Sequence, residues 1–264
     1  MWPFLEVAGI YFPAYNLALA LGVLLGATAL FLAARRKRVL LQFLADNFVW
    51  LMLITLVFAR LTEVLLHSYS LLEFPFFWGE NGGLDFYGGV IAFLLTLAWL
   101  CRHYNENFFT WLDLSVLAAF PVLILHHVGT FLAGSAYGTQ TVLPWGVTFT
   151  NPDSAVLTTL VIHPTQIYAA LLTLGLFITA MFILKHTTET GKAGIFLLLT
   201  VSLGYFFLDF LRGDSAITFG MLRASQYAAI LLAAAAAVLV IKMKHTAREA
   251  RGSEIHINNQ AQNV

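Results

Sequence analysis

The side chains with the means to do chemistry gather in one polar stretch, His126 to Tyr168. It opens with His126-His127-Val128-Gly129 at the end of an apolar run. A glycine-rich excursion follows, Ala133-Gly134-Ser135-Ala136-Tyr137-Gly138-Thr139-Gln140, then Leu143-Pro144-Trp145-Gly146. The stretch closes on His163-Pro164-Thr165-Gln166-Ile167-Tyr168, at the mouth of the next apolar run. Imidazole exchanges protons near neutral pH, and glycine lets a backbone approach a ligand closely. Adjacent histidines on a helix diverge by about 100°. His126 and His127 are therefore a poor bidentate metal site; one can act as a base while the other packs. His163 stands at a helix start, where Pro164 is tolerated because its missing N–H would lack a partner anyway. From there His163 can hydrogen-bond outward to the loop. The free N–H groups and the dipole of such a start also favour a bound anion.

Three further clusters carry charge where apolar sequence surrounds them. Arg60 is followed by Glu63, and two readings stay open: an ion pair on one helix face, or a fixed cation for a lipid phosphate. In Gly82-Gly83-Leu84-Asp85-Phe86-Tyr87-Gly88-Gly89, two glycine pairs bracket Asp85 and Tyr87. This is either a close backbone approach to a ligand or an ordinary helix start with Asp85 on its dipole. Asp209 and Arg212 sit three residues apart and can pair. The Arg212 guanidinium offers two parallel donors to phosphate, or it snorkels to an interface.

The elements that position these groups are membrane spans. The 264 residues are 59% hydrophobic and 11% charged, against roughly 25% charged in soluble domains. Apolar runs recur at the length of about 20 residues that one crossing needs, and they are continuous rather than alternating, so helices rather than a barrel satisfy the backbone in lipid. The fold class is all-α and polytopic, with spans near 15–34, 43–65, 84–101, 111–132, 163–184, 193–212 and 221–241. Eleven of the fourteen Lys and Arg fall on one side of this arrangement, the exceptions being Arg60, Arg212 and Arg223. The positive-inside rule makes that side cytoplasmic, with the N-terminus outside and the C-terminus inside. The first span has no basic leader or small-residue cleavage site and is expected to stay.

The outside loops are then 66–83, 133–162 and 213–220. The aromatics Phe74, Phe76, Phe77 and Trp78 in the first read as an interfacial belt. The second is long enough to form a small extracytoplasmic head between spans four and five. Residues 1–246 form one membrane domain; 247–264 read as a disordered cytoplasmic tail. Gly22 and Gly26 in span one, and Ala233 to Ala237 in span seven, suit close helix approach. A zero net charge argues against a nucleic-acid partner. The single cysteine, Cys101, excludes an internal disulfide or a cysteine-based metal cluster and reads as packing. No nucleotide-binding loop occurs, and no metal or cofactor is implied.

In this order the pieces resemble the bacterial prolipoprotein diacylglyceryl transferase family over nearly the whole chain. Tyr15 to Gly26 resembles its first helix, Ala59-Arg60-Leu61 its second-span arginine motif, and Gly82 to Gly89 its double-glycine motif. Gly129 to Gly138 is similar to its signature loop, His163 to Tyr168 to its histidine-proline motif, and Asp209 to Arg212 to its end of span six. Ile217 to Gly220 through Ser225-Gln226 loosely resembles the start of its last span. There are departures. The family usually has histidine at Tyr87, arginine at His127, Thr139 and Tyr205, asparagine at Thr130 and Ala133, and glutamate at Ser135.

The resemblance implies a transferase of the bacterial cytoplasmic (inner) membrane, acting in lipoprotein biogenesis. It moves a diacylglyceryl group from phosphatidylglycerol, or a related phospholipid, to the lipobox cysteine thiol of a prolipoprotein signal peptide; a thioether forms and glycerol phosphate leaves. Such a reaction needs a base for a thiol of pKa about 8.5 and cations for the leaving phosphate. The implied catalytic set is His126, His127, Tyr87 and His163, with Arg60, Arg212, Asp209, Gly134 and Tyr137 binding substrate. A tyrosine of pKa about 10 is a poor base at neutral pH, so a histidine takes that role. Rival readings are a relative using another lipid or acceptor, a non-catalytic lipid- or lipoprotein-binding membrane protein, and a small transporter. Transport predicts polar groups through the bilayer midplane, whereas these cluster at the outer ends.

Overall fold

The computed structural model of the protein describes residues 2–7, 9–66, 84–156, 158–187, 189–214 and 218–262. The aromatic loop residues, Glu73, Glu80, Gly82 and Gly83 lie outside this set. Among the described residues, seven helices are long and apolar enough to cross a membrane: α1 (Ala14–Lys37), α2 (Gln42–Leu66), α3 (Phe86–His103), α4 (Phe108–Ala133), α5 (Thr165–His186), α6 (Lys192–Leu208, continued by a 3-10 turn Asp209–Leu211) and α7 (Ala224–Gln262). The chain is a multi-pass α-helical membrane protein. Large apolar side chains such as Leu24, Trp50, Leu95 and Trp99 point outward, as expected where the solvent is hydrocarbon.

Helices in lipid gain little from hiding leucine, so small residues and paired polar groups decide which faces meet. α1 lies along α4, α2 along α3, α6 along α7, and α5 packs on α4 and α6. The α1–α4 contact runs over Gly22 and Gly26, which face Pro121-Val122 and Ala118. A Cβ at Gly26 would overlap the Ala118 carbonyl oxygen. On α7 the alanines Ala229 and Ala236 are buried, Ala229 beside Tyr87 and Leu232, Ala236 beside Leu112 and Ile195. Cys101 is buried with Phe43, Leu97 and Trp111 and fills space there.

One buried carboxylate organises the end of the bundle away from the glycine-rich loop. Asp113 on α4 is about 1% exposed. Its Oδ2 accepts from Lys37 Nζ at 2.7 Å and from the Gly191 N–H at 2.9 Å, and its Oδ1 from the Gly194 N–H at 2.8 Å. A side chain of α4 thus caps the start of α6, where backbone donors lack helical partners, and binds the basic end of α1. The starts of α3 and α4 are capped locally: Asp85 Oδ1 accepts from the Gly88 N–H at 2.6 Å, and Asn107 Oδ1 from the Thr110 N–H at 3.2 Å.

Among the described residues, three short hairpins accompany the helices: β1 (Phe4–Val7) with β2 (Ile10–Pro13), β3 (Val147–Phe149) with β4 (Thr158–Ile162), and β5 (Thr218–Phe219) with β6 (Leu222–Arg223). All are antiparallel. Strands of two to five residues are too short for alternation to reveal them in sequence. The middle pair builds the head predicted between spans four and five. Beyond Met243 the α7 backbone continues helical to Gln262, where the sequence predicts an unpatterned tail; no proline interrupts those residues.

Asp113→Ala is expected to cost about 3 kcal/mol, because it strands two buried backbone donors and a lysine. Lys37→Ala should cost less, since Asp113 keeps both N–H groups. Thermal unfolding of the purified protein in detergent checks this order; equal midpoints for wild type and Asp113→Ala would contradict it.

Candidate functional site

The C-terminal ends of α2, α4 and α6 meet the N-terminal ends of α3, α5 and α7 around a cavity of about 460 Å³. The glycine-rich loop straps over it by backbone hydrogen bonds. Gly138 N–H donates to His163 O at 3.1 Å, and His163 N–H to Thr139 O at 2.9 Å. Thr139 N–H donates to Leu211 O, and Gly213 N–H to Tyr137 O, both at 2.8 Å. Side chains of α5 hold the strap from below: Thr165 Oγ1 donates to Ala136 O at 2.8 Å, and Gln166 Nε2 to Ser135 O at 2.6 Å. The strap tolerates no bulk at Gly138, where a Cβ would lie 2.5 Å from His163 Cβ.

Five of the predicted residues line the cavity: His126, His127, Tyr87, Asp209 and Arg212. The adjacent histidines diverge as helix geometry requires, their ring centroids 5.1 Å apart, yet both reach the cavity. His126 Nδ1 is 3.1 Å from Tyr15 Oη. Four others are not among the cavity-lining residues. Arg60 is buried in α2, one turn below Glu63, which does line it. His163 faces the head: its Nδ1 is 3.2 Å from Tyr168 Oη, which also accepts from Trp145 Nε1 at 2.8 Å. Gly134 ends α4 with a left-handed φ of +77°. Tyr137 contributes the carbonyl that receives Gly213. Sequence spacing placed these four at the right end of the bundle but could not tell cavity wall from supporting layer.

At the floor lies a chain of neutral groups. His127 Nε2 hydrogen-bonds Tyr205 Oη, which is 3.2 Å from Thr173 Oγ1; Thr173 Oγ1 in turn donates to Ala169 O at 2.7 Å. The Thr173 proton is committed to that carbonyl. The order that satisfies every member has Tyr205 donating to Thr173 and His127 Nε2–H donating to Tyr205. In the neutral ring Nδ1 is then the proton acceptor.

At the rim lies a charged cluster. Arg212 grips Asp214 as a fork, Nε to Oδ1 at 3.0 Å and Nη2 to Oδ2 at 2.5 Å, while its Nη1 is 3.5 Å from Asp209 Oδ1. The Asp209–Arg212 pairing expected from spacing is present, but the closer partner is Asp214. Burial works against the Arg212 charge, and the two carboxylates more than offset it, so its pKa is raised above the usual value. It therefore stays cationic wherever the protein is folded. Arg223 donates from Nη2 to Arg212 O at 2.6 Å, and its Nη1 is 3.7 Å from Asp214 Oδ1. Three cavity-lining polar atoms are buried without a hydrogen-bond partner: Gln166 Oε1, Asp209 Oδ2 and Arg223 Nη1.

Sequence reasoning passed over Arg223, Asp214, Gln166 and Tyr205 as site members. Arg223 had one signal, as one of the three basic residues that fall apart from the other eleven. Tyr205 lies four residues before Asp209, on the same helical face. No group of three or more His, Cys, Asp or Glu able to hold a metal occurs among the described residues.

Comparison with known proteins gives one consistent result. The family model described as prolipoprotein diacylglyceryl transferase matches residues 4–242. A phosphatidylglycerol–prolipoprotein diacylglyceryl transferase of Finegoldia magna is 29% identical over 244 residues, covering 90% of this chain and 94% of that protein. Proteins of the same name from Clostridium tetani (29% over 231 residues, 84% of this chain and 89% of that protein) and Gloeobacter violaceus (28% over 239 residues, 84% of each) are also similar.

Gly138→Val is expected to lift the strap off α5 and cost on the order of 2 kcal/mol. Faster proteolytic cleavage between residues 134 and 162 in the variant would report it, and an unchanged cleavage rate would contradict it.

Proposed function

The chain belongs to the prolipoprotein diacylglyceryl transferase family, and from that premise we propose that it transfers a diacylglyceryl group from phosphatidylglycerol to the lipobox cysteine of a prolipoprotein. The observation that supports this most is the single cavity in which a proton acceptor, His127, and two guanidiniums, Arg212 and Arg223, share walls. Thiol alkylation needs both at once. The cysteine thiol gives its proton to His127 Nδ1, and the sulfur attacks the lipid glycerol carbon that bears the phosphate. The new S–C bond forms as the C–O bond to phosphate breaks, and glycerol phosphate leaves with the electron pair. Arg223 Nη1, the guanidinium nitrogen without a hydrogen bond, meets the developing phosphate charge, with Arg212 behind it. In a low-dielectric site such preplaced donors are worth far more than in water.

The remaining predicted residues take supporting roles. Tyr205 and Thr173 keep His127 in the tautomer that accepts at Nδ1. Tyr87, buried beside Ala229 and Leu232, walls the cavity rather than moving protons. His163, Gly134 and Tyr137 hold the head strap, and Arg60 supports the α2 wall from one turn below. The membrane is the bacterial inner membrane, with the N-terminus outside and the C-terminus in the cytoplasm. Support comes from the basic residues that gather at the end of the bundle opposite the cavity. The tail after Met243 then lies on the cytoplasmic side.

Reconstituted protein, phosphatidylglycerol vesicles and a lipobox peptide test the reading, with thioether-linked peptide measured by mass spectrometry. Removing a preplaced cation or a general base typically costs on the order of 100-fold or more, so Arg212→Ala and His127→Ala should each lower product by that factor. Tyr205→Phe should lower it about tenfold, as one neutral hydrogen bond to the base is lost. Undiminished product from both Arg212→Ala and His127→Ala would remove these roles, and intact lipid bound without turnover by the wild type would favour a binding protein.

A further inference from the structure

Two of the cavity's three buried polar atoms without a hydrogen bond are acceptors, and they lie at the ends of two helices that pack together, α5 and α6. Gln166, on the first turn of α5, is 2% exposed, and Asp209, on the turn ending α6, is 3% exposed. The Gln166 amide has a fixed orientation. Its nitrogen must face the Ser135 carbonyl 2.6 Å away, which leaves Oε1 as the free end. Asp209 Oδ1 is held by Arg212, which leaves Oδ2 free. Buried acceptors without donors are rare in folded proteins because each one costs free energy, and both of these line a cavity wide enough for a ligand.

The ligand group that meets them must donate hydrogen bonds. The two carboxylates Asp209 and Asp214 are already matched by the two guanidiniums Arg212 and Arg223, so Asp209 calls for a neutral donor more than for a further cation. Gln166 Oε1 is itself neutral. A charge-compensated carboxylate oxygen and an amide oxygen on the wall of one cavity match a pair of hydroxyls, and Arg223 Nη1, which makes no hydrogen bond and only a 3.7 Å ion-pair contact with Asp214, is a cationic donor that matches a phosphate oxygen. We propose that Gln166 and Asp209 form a polyol subsite that recognises the two hydroxyls of a glycerol headgroup while Arg223 takes its phosphate. This rests on the lipid-donor reading above and adds to it the residues that choose the headgroup. Gln166 and Asp209 select the donor; His127 and Arg212 act in the transfer.

A binding experiment separates selection from transfer. The full-length protein in detergent is mixed with equal amounts of phosphatidylglycerol, phosphatidic acid and phosphatidylethanolamine. Retained lipid is quantified by mass spectrometry. Wild type should retain phosphatidylglycerol over phosphatidic acid, which lacks the hydroxyls, by about tenfold, the value of one or two hydrogen bonds to buried acceptors. Gln166→Met and Asp209→Asn should each lower that ratio about threefold while phosphatidic acid is still retained, which reports an intact phosphate end. A second measurement needs no variant: glycerol 1-phosphate should displace bound phosphatidylglycerol at about tenfold lower concentration than inorganic phosphate. Equal displacement, a wild type that favours phosphatidic acid or phosphatidylethanolamine, or variants that keep the wild-type ratio would each overturn the subsite. Neither measurement reads thioether formation, so a failed transfer assay leaves this result standing, and a failed subsite leaves transfer standing.

Discussion

The Arg212 ion cluster is what the functional end of this molecule depends on. Its guanidinium forks onto Asp214 and reaches Asp209. Its carbonyl oxygen receives Arg223 from the start of α7. Its backbone pairs with Gly138 of the strap. One residue therefore ties the end of α6, the head loop and the start of α7 to the same point. Each tie is charge-assisted or backbone-mediated, the kinds that keep their strength where water is scarce. Were the cluster placed in the middle of a helix, its desolvation would be hard to offset. At the bundle end, with Arg212 about a third exposed, the cost is moderate and the geometry is kept.

From that point the cavity divides by depth. Charge stays at the rim, where Arg212, Arg223, Asp209 and Asp214 meet. Below it the polar groups are neutral: His127, Tyr205 and Thr173 form a line that ends on a helix carbonyl. A lipid bound here would face the same gradient, with phosphate and hydroxyls near the charges and reactive carbon near the imidazole. An apolar groove between α2, α3 and α7 meets the cavity at Asp85, Tyr87 and Ser225, so hydrocarbon and polar surfaces are continuous. Opposite, Asp113 does for the far end what Arg212 does for this one: a single buried charge joins three helices that apolar contact alone would leave interchangeable.

Much of this was legible in the sequence because lipid imposes a coarse code. Apolar runs had to be helices, and all seven spans fall within three residues of their predicted ends. Asp85 at a helix start, the Asp209–Arg212 pair and the small-residue contact at Gly22 and Gly26 follow from i, i+3 and i, i+4 spacing, which a linear pattern displays. What could not be read was which polar residue faces the cavity and which supports its wall. Arg60 and His163 have the right chemistry, one turn too deep and on the outer side of the strap respectively. Arg223, Gln166 and Tyr205 enter through contacts between elements far apart in sequence, such as Tyr205 with His127, and no local pattern records those.

That last contact also explains how the chain tolerates two of its departures from the family pattern, at His127 and Tyr205. The resemblance places arginine at both His127 and Tyr205. Here the two side chains touch, so two arginines at these positions would face one another across a desolvated space and require an anion between them. Imidazole and phenol satisfy each other instead, with no ligand needed. The cavity floor thus carries no facing pair of cations, and the guanidiniums lining the cavity are Arg212 and Arg223 at the rim, each within ion-pair distance of a carboxylate. The two substitutions form a coupled exchange: the cations the family pattern places at the floor are replaced there by a hydrogen-bonded neutral pair, and the guanidiniums that line the cavity are those of the rim.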